Sequence, residues 1–445
     1  MLINLISLSI SFIFYILKKV KYLPLLITIF SISGLFFKFD GYLIGYGGIH
    51  IVNDNVSFYF ILTNVMVTFI VSLMLLKNYE ASNYHKNFFI SLTHVVLNFL
   101  FVSYDLFNIY VLLETITLLI VLLILSGQKF VHKLIGLKYI FVSTFAMNLY
   151  LIGVGISYYK GGTFDIEMVV LTGVAKYLIQ GALFIKSGLF LFGLWLPDVY
   201  SETESEISAL LAGIYSYASI YALVRLSDSA DVRLIGVLTF VFGVIMALIV
   251  NDYKKVLAYS SVSQVGLMLF FLEYTPFFVF VHAIAKSTLF LSSKYVPKNP
   301  GKSEKVELLV FIPILISGLS ISGMPLTLGG GVKEMLFKNL PMWSLIVSFL
   351  TSLYIGKILP VNLKVSDKVD FQKMVLFFSG IIPLFLGVFY YSSFGNVWTI
   401  VLGLFLGEIL FSRVNFHISF STEMVLTLSV FSVGFFGLLQ YFLKG

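Results

Sequence analysis

Apolar runs of about twenty residues recur from one end of this chain to the other. That recurrence narrows the fold more than any other feature. One such run, "LFNIYVLLETITLLIVLLIL", covers residues 106–125. A helix needs about 20 apolar residues to cross the roughly 30 Å hydrocarbon core of a bilayer. The runs do not alternate apolar with polar residues, which argues against the strands of a membrane barrel. Hydrophobic residues make up 59% and charged residues only 11% of the 445 positions. A soluble domain carries about 25% charged residues. The expected fold class is all-α: a polytopic membrane protein with about 14–16 transmembrane helices.

Spans are expected at about 2–17, 22–37, 56–76, 87–103, 106–125, 134–157, 172–194, 206–226, 232–250, 257–273, 276–296, 306–336 with a break, 341–359, 373–391, 394–412 and 421–442. The run at 2–17 lacks a leading basic region and a small-residue cleavage site, so it reads as the first span rather than a signal peptide.

The chain has no cysteine, which excludes disulfides, thiolate-ligated iron–sulfur clusters and a catalytic thiol. Redox chemistry would therefore belong to partners, and no cofactor is expected here. The net charge of +7 comes from 29 Lys and Arg against 22 Asp and Glu. In a membrane protein such an excess reflects topology rather than nucleic-acid binding. Connections after odd-numbered spans hold Lys18, Lys19, Lys21, Lys77, Lys86, Lys129, Lys133, Lys254, Lys255, Lys294, Lys298, Lys302 and Lys305. The even ones hold Lys38, Lys160 and Arg233 beside several acids. Positive loops stay in the cytoplasm, so the N-terminus is expected outside a cytoplasmic (inner) membrane. One odd connection dissents: "DVYSETESE", Asp198 to Glu206, is acidic.

Two spans are interrupted. Lys186 is followed by Gly188, Gly193 and Pro197, and Lys333 is preceded by Pro325 and by three glycines that include Gly329. Gly and Pro break helices. A matched pair of broken apolar segments points to inverted repeats with an ion site at the breaks. The lysines lie 147 residues apart (333 − 186), about five spans with their loops. An odd number of spans inverts the second copy.

Four ionisable positions fall inside apolar runs: Glu114, Lys186, Lys286 and Lys333. A charge at a helix centre costs about 2.5–3.5 kcal/mol on insertion scales, so such residues face a bundle interior and mark ion pathways. His282 lies four residues before Lys286, on the same helix face. A snorkelling lysine or a hydrogen-bonded core histidine is the competing reading for each.

The segments "KSGLFLFGLWLPDVYSETESEISALLAG", "NDYKKVLAYSSVSQVGLMLF", "HAIAKSTLFL" and "GLSISGMPLTLGGGVKEMLF" together resemble the antiporter-like membrane subunits. That family is shared by respiratory complex I, group 4 membrane-bound hydrogenase and sulfane reductase-type complexes, and multi-subunit Mrp-type sodium/proton antiporters. The resemblance runs from about Tyr104 to Lys338, and Asp252 to Gly266 is its most specific part. It implies fourteen core helices with two inverted five-helix repeats and broken seventh and twelfth helices. It further implies that Glu114 and Lys186 pair, that His282 and Lys286 lie on the eleventh helix, and that Lys333 stands near an exit. The sequence departs from the family where members often carry histidines: Gly193 stands at one position, and Ala212 and Gly213 at another. Tyr215, Ser216, Tyr217, Ser219 and Tyr221 supply hydroxyls at the eighth span instead.

The expected organisation is N-terminal spans at 1–103, a first repeat at 104–226, a second at 227–360 and C-terminal spans at 361–445. The expected function is ion translocation, of protons or by sodium/proton antiport, within a multi-subunit redox-driven or antiporter complex. The chain would contain no active site of its own. Its partners would be other membrane subunits, a redox module reached through them, protons, sodium and lipid, with no nucleic acid. The alternatives are a stand-alone transporter of a small solute and a non-conducting structural subunit.

Overall fold

A computed structural model describes residues 2–43, 48–77, 84–127, 129–190, 192–226, 230–299, 305–360, 362–365, 369–389 and 394–411. The expected span at 421–442 lies outside these residues.

The helices follow the apolar runs closely. They begin with α1 (Leu2–Ile16), α2 (Leu23–Ile32), α3 (Asn55–Leu76), α4 (Tyr84–Leu100), α5 (Leu106–Leu125) and α6 (Phe130–Gly161). An interrupted span follows as α7 (Gly173–Ser187) and α8 (Leu196–Glu202). The next span combines α9 (Ser205–Leu210), a π-turn (Leu211–Tyr215) and α10 (Tyr217–Leu226). Then come α11 (Ala230–Ile249), α12 (Tyr253–Phe270) and α13 (Thr275–Ser292). The second interrupted span is α14 (Leu308–Ser322) with α15 (Leu328–Leu336), followed by α16 (Pro341–Ile358), α17 (Phe371–Gly387) and α18 (Val397–Leu406). Seven helical spans among the described residues are long and apolar enough to cross a membrane, and shorter apolar helices accompany them. The chain is a multi-pass, all-helical membrane protein.

Helix starts are set locally. Asp54, Asp105, Asp252 and Thr327 each accept a backbone N–H three residues on, from Ser57, Asn108, Lys255 and Gly330, at 2.7–3.2 Å. Such caps satisfy donors that a helix end leaves unpaired. Where two helices must lie close, glycine permits it. A Cβ on Gly236 of α11 would sit 2.7 Å from the carbonyl oxygen of Gly266 on α12, the close approach that small residues allow inside membranes.

The 38–55 connection holds a feature that the apolar pattern does not foretell. Strands β1 (Phe39–Leu43) and β2 (Ile49–Asn53) pair antiparallel, with Phe39 opposite Asn53 and Leu43 opposite Ile49. His50 on β2 is buried, with Nε2 2.9 Å from Asp40 and Nδ1 3.0 Å from Asp165. The Tyr42 hydroxyl donates to Asp165 at 2.6 Å. Burial by itself disfavours the imidazolium, but the two aspartates outweigh it and raise the His50 pKa above its ordinary value. Asp165 belongs to the loop between α6 and α7, so the hairpin is tied to the entry of the helix that carries Lys186.

Lysines from four of the odd connections, Lys86, Lys129, Lys254, Lys294 and Lys298, line an open cavity of about 860 Å³ at the opposite end. The acidic segment sits among them rather than against them. Glu204 pairs with Lys86, Glu206 lies 3.6 Å from Lys294, and Glu202 lies 3.8 Å from Lys298. Its dissent from the charge rule is thus local pairing across one mouth.

Candidate functional site

The two interruptions are built alike. Gly188 ends α7 with φ 66° and Gly323 ends α14 with φ 87°, a left-handed conformation that glycine adopts without a Cβ penalty. A Cβ at Gly188 would lie 2.8 Å from Leu196 Cδ2. Past the first break, Trp195 Nε1 donates to the Ile185 carbonyl at 3.3 Å, and Pro197 occupies the first turn of α8. Gly193 packs on the Gly188 carbonyl, and Gly329 on the Ser320 carbonyl, closely enough that neither has room for a Cβ. Pro325 stands in the second break, between α14 and α15.

The breaks are not equivalent with respect to the lysines. Lys186 precedes its break and Lys333 follows its own, on α15. The glycines that end α7 and α14 are 135 residues apart (323 − 188), against 147 for the two lysines, because the lysines lie on opposite sides of their breaks. Spacing between two lysines cannot reveal which side of a break each occupies.

All five ionisable candidates lie on helices of the bundle. Lys186, in the last turn of α7, is buried and donates to Thr117 Oγ1 on α5 at 2.5 Å. Glu114 stands one turn before Thr117, partly exposed, with no hydrogen bond or ion pair among the described residues. The two charges still feel each other electrostatically. Lys286 on α13 is fully buried and donates to the Leu257 carbonyl at 2.8 Å and to Ser260 Oγ, both on α12. Lys333 donates to Thr351 Oγ1 at 2.8 Å and to the Ser322 carbonyl at 3.0 Å. Ser322 is the last residue of α14, so this ammonium sits at a helix C-terminus, where positive charge is favoured. His282 is buried, with Nδ1 against the Tyr217 hydroxyl and with no partner for Nε2 among the described residues.

Hydrogen-bonded pairs of polar groups recur across the bundle among the described residues. Ser187, the residue after Lys186 in the chain, donates its hydroxyl to Ser219 on α10 at 2.9 Å. Tyr217, also on α10, meets His282, and Lys286 lies four residues further along α13. On α12, Gln264 donates to the Tyr354 hydroxyl at 2.9 Å. Thr351, the partner of Lys333, stands three residues before Tyr354 on α16. Nearly every one of these groups can hold or donate a proton, being an ammonium, an imidazole, a carboxyl or a hydroxyl.

Sequence reasoning identifies the charges but misses Thr117, Ser260, Gln264, Thr351 and Tyr354. Hydroxyl residues are too common in membrane helices for their spacing to single them out. It also misses what joins "WLPD" to "DYKK". Asp198 accepts from Lys138 of α6 at 2.8 Å and lies 3.1 Å from Lys255 of α12. Lys254 donates to the Thr203 carbonyl at 2.6 Å, so both lysines of that motif anchor the segment after the first break.

Comparison with known proteins agrees with this arrangement. A family profile described as "NADH:quinone oxidoreductase/Mrp antiporter, TM" matches residues 103–358, more than half of the chain. The chain is 28% identical over 427 residues to an uncharacterized protein of Methanocaldococcus jannaschii, covering 81% of this chain and 87% of that protein. It is 29% identical over 266 residues to a Na(+)/H(+) antiporter subunit of Alkalihalophilus pseudofirmus, covering 52% of this chain and 54% of that one. It is 31% identical over 264 residues to an NADH-quinone oxidoreductase subunit of Desulforudis audaxviator, covering 51% and 52%. The match thus spans about half the length of these two relatives. In fold, it resembles a chain of respiratory complex I from Thermus thermophilus, with a TM-score of 0.74, 19% identity, and coverage of 87% of this chain and 96% of that one. It also resembles a chain of the Mrp complex from Dietzia sp. DQ12-45-1b, with a TM-score of 0.74, 18% identity, and coverage of 97% and 55%. The chain belongs to the NADH:quinone oxidoreductase/Mrp antiporter family of membrane proteins.

Proposed function

We propose that this chain is an ion-translocating membrane subunit of a larger complex, carrying protons or exchanging protons against sodium. One observation carries the reading. Lys186, Lys286 and Lys333 are all buried, and among the described residues each is hydrogen-bonded to neutral oxygens alone. A buried ion kept only for structure is normally paired with an opposite charge, because an unpaired one is costly. An ammonium held by hydroxyls and carbonyls can lose its proton without orphaning a partner charge, since the neutral amine still donates to the same oxygens.

Glu114 and Thr117 are three residues apart on α5 and share a face. Lys186 therefore has two alternative partners one turn apart. Approach of the Glu114 carboxylate stabilises the ammonium by charge attraction. Return to Thr117 withdraws that stabilisation, and the proton moves by way of His282 to Lys286 and then to Lys333, which releases it. The two halves are the repeats 104–226 and 227–360, inverted with respect to each other. The chain sits in the cytoplasmic membrane with its N-terminus outside and its lysine-rich mouth facing the cytoplasm. Its partners are other membrane subunits, and through them a redox module or a second ion gradient supplies the energy. Support for partners comes from the relatives, which are named as subunits.

The test is proton and sodium flux in vesicles holding the complete complex, with Lys186→Met compared to the wild type after assembly is verified. Loss of flux while the partners stay active supports the reading. Unchanged flux makes Lys186 structural and removes the ion-carrying role.

A further inference from the structure

The hairpin of β1 and β2 gathers more carboxylate than its one imidazole can balance. Asp165 Oδ1 lies 3.0 Å from His50 Nδ1, and Asp40 Oδ1 lies 2.9 Å from Nε2. Glu167 stands two residues beyond Asp165, and one ligand atom from each of His50, Asp165 and Glu167 lies within 4.8 Å of the other two. Among the described residues no lysine or arginine pairs with these three carboxylates, and the Glu167 side chain makes no hydrogen bond or ion pair. We propose that His50, Asp165 and Glu167 are the ligands of a divalent transition-metal ion of the zinc class, which ties the hairpin to the loop between α6 and α7. Such a site stands whether or not the buried lysines carry ions.

Charge is the first support. An imidazolium offsets one carboxylate, whereas a divalent ion offsets two, and buried carboxylates such as Asp165 are ordinarily paired or bound to metal. Arg225, beyond the Tyr104 ring, is committed to Asp54 by bonds of 2.7 and 2.8 Å. Geometry is the second. A tetrahedral ion with bonds of about 2.0–2.2 Å holds its ligand atoms about 3.3–3.6 Å apart. The 3.0 Å between His50 and Asp165 is close to that spacing, and the exposed Glu167 side chain has room to close the rest. The third is the way the ligands are held. With its proton on Nε2, the His50 ring donates to Asp40 and turns the Nδ1 lone pair toward Asp165 and Glu167. A ligating histidine ordinarily hands its other N–H to a carboxylate in this way. Asp165 Oδ2 accepts from the Tyr42 hydroxyl at 2.6 Å and Oδ1 from the Glu167 N–H at 2.9 Å, while the Tyr42 ring stacks on the imidazole with centroids 4.6 Å apart.

A mixed set of imidazole and carboxylate suits zinc and its neighbours, whereas calcium and magnesium take oxygen ligands. Three protein ligands leave one position of a tetrahedral ion to water. Without metal the same atoms close on a proton at Nδ1, which leaves Glu167 unused. The metal takes that proton's place and brings Glu167 in, so Glu167 distinguishes the two modes of closure. His50 and Asp165 are 115 residues apart, and bound metal therefore crosslinks β2 to the chain entering α7.

The experiment is a zinc titration of the purified complete complex against a competing chelator at one fixed pH, comparing the wild type with Glu167→Gln, His50→Gln and Asp40→Asn. The wild type is expected to hold about one equivalent per chain that Glu167→Gln and His50→Gln bind at least tenfold more weakly. Asp40→Asn should weaken it about 10–100-fold, the usual loss for a group that orients a ligand. Saturating zinc should also slow hydrogen exchange in Ile49–Asn53 of the wild type and leave Glu167→Gln unchanged. Equal zinc affinity in the wild type and Glu167→Gln overturns the site and leaves only the closure held by a proton. Protection by calcium but not by zinc overturns it as well, because the imidazole is then no ligand. Should His50→Gln fail to assemble, Glu167→Gln decides, since that exposed side chain makes no hydrogen bond on which folding depends.

Discussion

Gly323 shows how much one residue without a side chain can govern here. Its φ of 87° is one that L side chains rarely adopt, and a Cβ there would lie 2.5 Å from Lys333 Cδ. Gly323→Ala is therefore expected to cost about 1–2 kcal/mol in backbone strain and to push Lys333 off the Ser322 carbonyl. Thermal unfolding of the purified complex would read the first effect, and proton flux the second. An unchanged melting temperature would mean that the break relaxes at no cost. Asp198 makes the complementary case, since it is shared by Lys138 and Lys255 at 2.8 and 3.1 Å. Its partial exposure places Asp198→Asn between the limits for exposed and buried pairs, so about 1–2 kcal/mol of destabilisation is expected. Adding Lys255→Gln should recover part of that loss, and a simple additive loss would show that Asp198 and Lys255 are not coupled.

At the scale of elements, the hairpin of β1 and β2 is a clasp whose strength depends on pH. His50 is held between Asp40 and Asp165, and its pKa is raised in the folded chain. In an unfolded chain the imidazole titrates near 6.5. A raised folded value means that its stabilisation is fully present below about 6.5 and is lost as pH rises through the folded value. Hydrogen exchange in Ile49–Asn53 should therefore quicken as pH climbs past that folded value, beyond the ordinary chemical dependence of exchange. In His50→Gln the extra dependence should vanish. Its persistence would place the titrating group elsewhere. The clasp is invisible in the sequence because its parts are 10 and 115 residues from His50. Helices, by contrast, are legible to within a few residues, as with Leu106–Leu125 and Pro341–Ile358, because their caps and apolar runs are local. The π-turn is not legible, since nothing in "LAGIY" separates it from an ordinary turn of helix.

For the whole molecule, the proposed orientation rests on where lysines collect. Lys129 lines the mouth, while Lys160 is exposed at the end of α6, one span away. The chain has no cysteine, so single cysteines can be placed without removing any. An impermeant thiol reagent should label Lys160→Cys in intact cells and Lys129→Cys only after permeabilisation. The reverse pattern would invert the proposed topology. Apolar residues such as Leu118, Leu134, Phe141 and Val241 face outward at 47–54% exposure, as lipid-facing or subunit-facing surfaces require.

The sequence alone determined the all-helical membrane class, nearly every described span, the two interruptions and the ionisable residues inside the apolar runs. Each follows from an interaction of a residue with the bilayer or with its near neighbours, so run length, Gly and Pro, and the cost of a buried charge suffice. Only the tertiary structure decided which neutral oxygens hold each lysine, that Glu114 stands apart from Lys186, that Asp198 binds Lys255, and that Tyr217 reaches His282. The Lys186–Thr117, Asp198–Lys255 and Tyr217–His282 pairings join residues 57 to 69 positions apart on different helices. Their partners are set by how the helices cross and by the extra residue in a π-turn, and neither leaves a periodic trace along the chain.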